Sequence, residues 1–142
     1  MNISKDVKDL LKNEKLCTLA TCVENSPYVS LMNFTYVEEG NKVILSTRRN
    51  SKKYENFIKN KKISLLLFSI SSGLSATFLG TAMTTEGKEE KHYRELHMQK
   101  NNMPQFILGE DIGLIVFHIE QIIVSNRQDQ VTYINDAGIT DK

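Results

Sequence analysis

The first half of the chain contains three strand-like segments in succession, joined by turns that are too short to hold a helix. The segments cover residues 16–23, 28–37 and 42–47. The turns between them, residues 24–27 and 38–41, contain Asn, Ser, Pro and Gly, which are typical turn residues. Strands joined in this way pair with their neighbours as an antiparallel meander. This order therefore predicts a mainly β fold into which helices are inserted.

Further strands and helices follow from the periodicity of the apolar residues. Gly80, inside one predicted strand, indicates a bulge or a close approach to a ligand. We expect the apolar run 63–70 to be buried on both faces or to lie at a subunit contact, and the charged helix 86–100 to lie on the surface. Six or seven strands in this order most simply form a small antiparallel barrel. The remaining predicted strands are 63–70, 75–83, 112–124 and 131–134. The predicted helices are 51–60, 86–100 and a first helix that Ser4 caps and that ends at Asn13 or Lys15.

Length and charge narrow the class of protein. The chain has 142 residues, which suits a single domain over residues 1–142 with a hydrophobic core of its own. Its formal net charge is +1, whereas a dedicated nucleic-acid-binding domain is usually strongly basic, so we expect no nucleic-acid partner. The apolar runs are strand-sized and no signal-peptide pattern is present, so we expect no membrane association and a cytoplasmic location.

The cysteines and histidines do not form a pattern typical of a metal or redox site. Cys17 and Cys22 are five residues apart on a predicted strand, so they point to opposite faces and cannot share a metal ion or a disulfide there. We interpret both as small residues in or near the core. His92 and His97 diverge on the predicted helix, because five residues do not return to the same face. We interpret His118 as a polar residue at a strand edge or a half-buried histidine with its hydrogen bonds satisfied.

A basic segment marks the start of the second predicted helix. Ser51 has the position and chemistry of an N-cap, which places Lys52 and Lys53 in the first helical turn. Cations are disfavoured there by about 0.3–1 kcal/mol each, because the N-terminal end of the helix dipole is positive. With Arg48 and Arg49, four positive charges surround free helix N–H groups, an arrangement that an anion such as phosphate would stabilise. The alternative is an ordinary solvated basic loop.

The order and spacing of four segments resemble the pyridoxamine 5′-phosphate oxidase-like family of FMN-binding split barrels. The resemblance implies an antiparallel split β-barrel and extends over most of the chain, from about residue 16 to residue 124. It is densest in residues 27–34, 43–47, 50–53 and 61–68.

The resemblance implies a role for each of these segments. Residues 51–53 match the family's phosphate clamp, and Ser46 and Thr47 match positions that contact the phosphate–ribityl end of FMN. The backbone of residues 30–33 matches the strand that runs along the isoalloxazine edge, and Ser75 matches a polar contact from a later strand. The cofactor contacts implied in this way are Ser30, Leu31, Met32, Asn33, Ser46, Thr47, Ser51, Lys52, Lys53 and Ser75.

The chain also departs from the best-known branches of that family. It has no Trp and ends shortly after the last predicted strand, whereas authentic pyridoxamine phosphate oxidases have Trp and Arg positions in a longer C-terminal region. We therefore expect it not to oxidise pyridoxine phosphate. The His that is usual near the end of the third strand in the related nitroimidazole-resistance proteins is replaced by Ser46 or Thr47. Haem-handling members and deazaflavin-dependent reductases share the barrel, and the sequence does not separate them.

The function that this resemblance implies is that of an FMN-dependent oxidoreductase, with hydride or electron transfer to or from an unidentified small molecule. The sequence assigns no catalytic residues and no metal ligands. A non-catalytic flavin- or haem-binding or sensing protein is the alternative. A basic-loop protein that binds polyphosphate or nucleic acid fits the near-neutral charge less well. The family also implies a homodimer with FMN near the subunit interface, and the apolar strands 63–68 and 112–117 are the expected contact.

Overall fold

The computed structural model describes residues 1–141, and its strands belong to one antiparallel sheet. The strands are β1 (Leu16–Val23), β2 (Ser26–Asn33), β3 (Thr35–Val37), β4 (Lys42–Arg48), β5 (Lys62–Phe68), β6 (Ser75–Met83), β7 (Ile112–Ser125), β8 (Val131–Asn135) and β9 (Gly138–Asp141). The helices are α1 (Lys5–Asn13), α2 (Lys52–Lys59), α3 (Gly87–Asn101) and α4 (Pro104–Ile107).

The strand order makes the sheet curl into a split barrel. Hydrogen-bonded neighbours run β2-β1-β5-β6-β7-β4-β3, with β8 added beside β7 and β9 beside β8. The two ends of this order, β2 and β3, follow each other in the chain and are separated only by Phe34. The sheet must therefore bend back on itself, although β2 and β3 do not pair in the described residues. This arrangement confirms the predicted class, a mainly β antiparallel split barrel with inserted helices.

The predicted meander is wrong in one respect. The segment predicted as one strand over 28–37 consists of β2 and β3, which pair with different partners. All of β2 pairs with β1, from Val23↔Ser26 to Leu16↔Asn33, whereas β3 pairs with β4. Phe34, which is fully buried, lies at the change of direction. Because the alternation of side chains continues through Phe34, the sequence pattern did not reveal the break. This split and the hairpin partner β9 account for nine strands within residues 1–141 instead of six or seven.

The barrel interior contains the core, and burial alternates along the strands that surround it. In β5, Ile63, Leu65 and Leu67 are buried, while Leu66 and Phe68 are 40% and 57% exposed. The expectation that this run is buried on both faces is therefore wrong for the single chain. Its outward side chains remain available for the alternative expectation, a subunit contact.

The strand β7 is covered on both faces over residues 112–117. Its residues from Ile112 to Phe117 are all buried, because one face lies on the core and α3 covers the other. Tyr93 of α3 packs with Ile44, Leu114 and Val116 on that outer face. Residues 112–117 are thus not free to form the subunit contact that we expected of them. The helix α3 itself is more than a surface helix, since Tyr93 and His97 are buried.

Gly80 lies at a β-bulge, as one reading of the sequence suggested. The register between β6 and β7 shifts between Leu79 and Gly80. A Cβ at Gly80 would lie 2.0 Å from the carbonyl oxygen of His118, so the close approach is to the backbone of β7 and not to a ligand. Among the helices in residues 1–141, none is long and apolar enough to cross a membrane.

Candidate cofactor site

A cavity of about 330 Å³ lies where β2 and β4 end, beside the start of α2 and against α3 and α4. This volume is at the lower end of the range typical of small-molecule sites. Seven of the ten residues that the resemblance implied line it. They are Leu31, Met32, Asn33, Ser46, Thr47, Ser51 and Lys53.

The start of α2 is built as the sequence predicted. Ser51 is the N-cap, and its Oγ accepts a 3.3 Å hydrogen bond from the backbone N–H of Tyr54. The first backbone hydrogen bond of the helix runs from the N–H of Glu55 to the carbonyl of Ser51. The N–H groups of Lys52 and Lys53 precede that bond, so they have no acceptor within the helix and lie at its positive end.

The four basic residues of this segment divide into two pairs. Lys53 and Arg48 line the cavity. Lys52 is exposed, and its Nζ lies 5.3 Å from the centroid of the Tyr28 ring. Arg49 donates a hydrogen bond to the carbonyl of Glu110. We use the term anion cradle for Arg48, Ser51 and Lys53 with the free N–H groups at the start of α2.

Two hydroxyls at the end of β4 point to different sides of the cavity. Thr47 Oγ1 donates a 3.2 Å hydrogen bond to Ser51 Oγ and so connects β4 to the anion cradle. Ser46 Oγ donates a 2.7 Å hydrogen bond to the carbonyl of Phe106 in α4. The single hydroxyl proton of Ser46 is therefore directed toward α4 and not toward the anion cradle.

Three of the implied residues do not line the cavity of the single chain. Lys52 contacts Tyr28 instead, and Ser75 pairs with Phe68 and Ser125 at the start of β6. Ser30 lies on β2, and its Oγ is buried without a hydrogen-bond partner among residues 1–141. Sequence spacing placed these residues on the correct elements but could not determine which way each side chain points.

Five lining residues from α3, α4 and the segment between them were missed by the sequence analysis. We use the term α3–α4 wall for them: His97, Asn101, Met103, Phe106 and Ile107. The spacing of four between His97 and Asn101 places both on one helix face, and this was the available signal. The many charges of α3 obscured it, because they suggested a helix that lies on the surface.

His97 is a buried, neutral histidine in this wall. Its side chain is 1% exposed, and hydrogen bonds join its Nδ1 to Thr35 Oγ1 at 2.6 Å and its Nε2 to Ser46 Oγ at 3.2 Å. Burial, with a smaller contribution from the nearby Lys100 ammonium, lowers the pKa of His97 to about 4. The wall therefore presents no imidazolium charge to the cavity at neutral pH.

An exposed apolar groove of about 450 Å³ adjoins the cavity and shares Leu31 with it. Its apolar side chains come from β1, β2, β5 and the turn after β5. Large exposed apolar patches usually mark contact surfaces. We use the term outer groove for Leu16, Leu31, Leu66, Phe68 and Ile70, which are 40–82% exposed.

The two cysteines do not contribute to the cavity lining. Cys17 is buried and Cys22 half-buried, both as free thiols, and burial raises the pKa of the Cys17 thiol to about 12. Among the described residues, no group of three or more His, Cys, Asp or Glu side chains lies together in a way that could hold a metal ion.

Residues 3–125 match the family described as pyridoxamine 5′-phosphate oxidase. A pyridoxamine 5′-phosphate oxidase homologue of Schizosaccharomyces pombe is 31% identical over 171 aligned positions, which cover 93% of this chain and 90% of that protein.

Two solved structures share the fold at low sequence identity. A heme binding protein from Mycobacterium smegmatis superposes with a TM-score of 0.82 at 17% identity, over 95% of this chain but only 59% of that one. A protein from Clostridium acetobutylicum related to general stress protein 26 superposes with a TM-score of 0.73 at 18% identity, over 93% of each chain.

Proposed function

This chain belongs to the pyridoxamine 5′-phosphate oxidase family, and we propose that it is an FMN-binding oxidoreductase that acts on a small molecule. The observation that carries the proposal is the polarity of the cavity. The anion cradle lies at one end, and apolar side chains of β2 and of the α3–α4 wall line the other. A ligand with a phosphate at one end and a flat, largely apolar ring at the other matches this arrangement.

The anion cradle would hold the phosphate. Lys53 and Arg48 supply positive charge, and the free N–H groups of Lys52 and Lys53 supply donors at the positive end of α2. Charge-assisted hydrogen bonds of this kind contribute about 1.5–3 kcal/mol each. An anion there also relieves the unfavourable position of two lysines in the first helical turn.

The apolar part of the cavity would hold the ring. Leu31 and Met32 of β2 and Met103, Phe106 and Ile107 of the α3–α4 wall contribute its apolar lining. Amide groups of Asn33 and Asn101 lie among them and can meet polar atoms at the edge of a flavin. Sites with mostly apolar walls and a few convergent polar groups are typical of cofactor binding.

FMN, when bound, supplies the hydride or electron transfer itself. The residues of this chain would bind its two ends, orient it and keep water from the face against the α3–α4 wall. His97 is neutral, and both of its ring nitrogens have partners within the chain, so it is not positioned as a proton donor to a substrate. We assign no catalytic residue.

A non-catalytic flavin- or haem-binding protein is the second candidate, because the heme binding protein from Mycobacterium smegmatis shares the fold. Ligation of haem iron by histidine requires a free ring nitrogen. Among the described residues that line the cavity, His97 is the one histidine, and Ser46 and Thr35 already engage its nitrogens. This geometry supports flavin over histidine-ligated haem at this site.

We further propose that two subunits associate through the outer groove. Leu66 and Phe68 project from β5, and Leu31 continues the same apolar surface to the mouth of the cavity. A partner there would bury apolar surface that is unusually exposed for a single chain and would complete the cavity beside Leu31.

The visible absorbance of protein purified without added cofactor, followed by titration with FMN and with riboflavin, tests the proposal. We expect a flavin spectrum or saturable quenching of FMN fluorescence, and weaker binding of riboflavin because it has no phosphate. Lys53→Ala should weaken FMN binding but change riboflavin binding little. Lys59→Ala, at the other end of α2, is the matched control.

Three outcomes contradict the proposal. They are a protein that binds neither flavin, equal affinity for FMN and riboflavin, and a haem spectrum without flavin binding.

If the protein does bind FMN, an activity assay separates the oxidoreductase from a non-catalytic flavin binder. The assay measures oxidation of NAD(P)H, or reduction of a nitro compound or a quinone, by the FMN-loaded protein.

A further inference from the structure

A chain of hydrogen bonds runs beside the cavity from β2 to α4. Each link joins two different elements. The links are Asn33 Nδ2 to Asn101 Oδ1 at 3.3 Å, Asn101 Nδ2 to Thr35 Oγ1 at 3.0 Å, Thr35 Oγ1 to His97 Nδ1 at 2.6 Å, His97 Nε2 to Ser46 Oγ at 3.2 Å and Ser46 Oγ to the Phe106 carbonyl at 2.7 Å.

The last link determines the direction of the others. The Phe106 carbonyl can only accept a hydrogen bond, so the Ser46 hydroxyl must donate its single proton to that bond. Ser46 Oγ must then accept from His97, which places a proton on Nε2. In a neutral imidazole that carries its proton on Nε2, Nδ1 is a hydrogen-bond acceptor. It therefore accepts a hydrogen bond from the Thr35 hydroxyl. Donation therefore runs one way, from Asn33 to Phe106.

Burial makes this chain sensitive to the loss of any member. His97 and Thr35 are 1% and 7% exposed, so a donor or acceptor left unpaired there has no water to replace its partner. An unsatisfied buried polar group costs about 1–3 kcal/mol. Asn101 adds a further 3.1 Å contact from its Nδ2 to His97 Nδ1, which holds the ring from the same helix.

We infer that His97 is a positioning residue of the site: as a neutral imidazole protonated on Nε2, it orients Ser46 and thereby holds the α3–α4 wall against β4. Ser46 and Thr47 are neighbours on β4, and they tie the strand to the wall and to the anion cradle respectively. His97 thus influences how far the two ends of the cavity lie from each other. That FMN is the ligand rests on the proposed function. The hydrogen-bond chain itself rests only on the distances given above.

The wall should keep its fold without this link. Arg94 donates hydrogen bonds to the carbonyls of Ile107 and Ile112, and these do not depend on His97. Loss of the His97–Ser46–Phe106 connection should therefore loosen the wall rather than unfold it, which separates a positioning role from a general structural one.

Two variants of His97 and one matched control test the inference. His97→Phe keeps a ring but removes both nitrogens, and His97→Gln keeps a side-chain N–H that can donate to Ser46. His92→Phe changes an exposed histidine on the same helix. We expect His97→Phe to weaken FMN binding by at least about tenfold and to change the visible circular dichroism of bound FMN, with substantial rescue in His97→Gln and no effect in His92→Phe.

Two measurements on the ligand-free protein test the chain independently of FMN. Nitrogen-15 NMR of the imidazole should show a neutral ring protonated on Nε2 at pH 7. Amide hydrogen exchange at Phe106 and Ile107 should be faster in His97→Phe and in Ser46→Ala than in the wild type. If His97→Phe does not fold, the exchange measurement on Ser46→Ala alone tests the hydrogen-bond chain.

The outcomes are distinguishable. A proton on Nδ1, an imidazolium at pH 7, or unchanged exchange in both variants would overturn the inference, as would wild-type FMN affinity and dichroism in His97→Phe. Failure of the wild-type protein to bind FMN would overturn the proposed function instead, and the NMR and exchange results would still decide whether His97 positions the wall.

Discussion

The ring of Tyr54 lies against Gly113 so closely that a Cβ added to this glycine would be 2.4 Å from Tyr54 Cε1. Tyr54 is in the first turns of α2, and Gly113 lies in β7 opposite Thr47 of β4. The absence of a side chain at Gly113 therefore allows the start of α2 to rest on the sheet beside the end of β4. The anion cradle depends on that position.

Gly113→Ala should displace Tyr54 and with it the start of α2. Overpacking of this kind usually costs about 1–3 kcal/mol of unfolding free energy. We expect a comparable loss in denaturant unfolding and a weaker affinity for FMN. In the double variant Gly113→Ala/Tyr54→Leu, the smaller side chain should make the loss smaller than the sum of the single variants. Additive losses would show that the two residues do not interact.

Lys52 and Lys53 are adjacent, but the structure assigns them different environments. Lys53 lines the cavity, whereas Lys52 lies over Tyr28. Lys53→Ala should weaken FMN binding by roughly 1.5–3 kcal/mol, the value of a charge-assisted hydrogen bond, and Lys52→Ala should have a much smaller effect. Fluorescence titration at fixed ionic strength measures both, with Lys59→Ala as control. Equal losses for Lys52 and Lys53 would mean that Lys52 turns toward the ligand on binding.

Buried His97 should make the protein less stable in mild acid. Its pKa is about 4 in the folded chain and 6.5 as an ordinary histidine, so the unfolded chain binds more protons between these values. The contribution of His97 to stability is complete above pH 6.5 and is lost as the pH falls toward 4. From pH 7 to pH 5 the loss is about 2 kcal/mol, because the slope approaches 1.36 kcal/mol per pH unit between the two pKa values.

Urea unfolding of the wild type and of His97→Gln at pH 7 and pH 5 measures this contribution. The wild type should lose about 2 kcal/mol more than the variant over that interval. His118, whose pKa is lowered mainly by burial, titrates in the same direction but is present in both proteins, so its effect cancels. Identical pH dependence in the two proteins would show that His97 is charged, or exposed to water, in the folded state.

The outer groove predicts a dimer at micromolar concentration. Phe68→Lys places a charge on a side chain that is 57% exposed in the single chain, so its effect on the fold should be small. We expect the variant to sediment as a monomer in analytical ultracentrifugation and to bind FMN more weakly. Ile139→Lys, with a similar exposure of 56% on β9, should remain a dimer. A wild-type protein that is monomeric and still binds FMN would contradict the proposed interface.

Local sequence patterns were sufficient to predict most of the strands and helices and one end of the cavity. The predicted strands 16–23 and 75–83 agree with β1 and β6, and Ser51 begins α2 as its side chain suggested. Side-chain alternation and helix capping involve residues within a few positions of each other, so a single sequence contains the necessary information. For the same reason the unusual position of Lys53 in the first turn of a helix was visible before the fold was known.

The sequence by itself determined the strand-forming segments, the N-cap at Ser51 and the concentration of cations beside it, because all three depend on neighbouring residues. Only the tertiary structure decided that the chain changes partner strand at Phe34, that Lys53 rather than Lys52 lines the cavity, and that His97 joins Thr35 to Ser46. Each of these depends on contacts between elements that are far apart in the chain. Thr35 and His97, 62 positions apart, are brought to 2.6 Å by the packing of α3 on the sheet, and no local pattern records that distance.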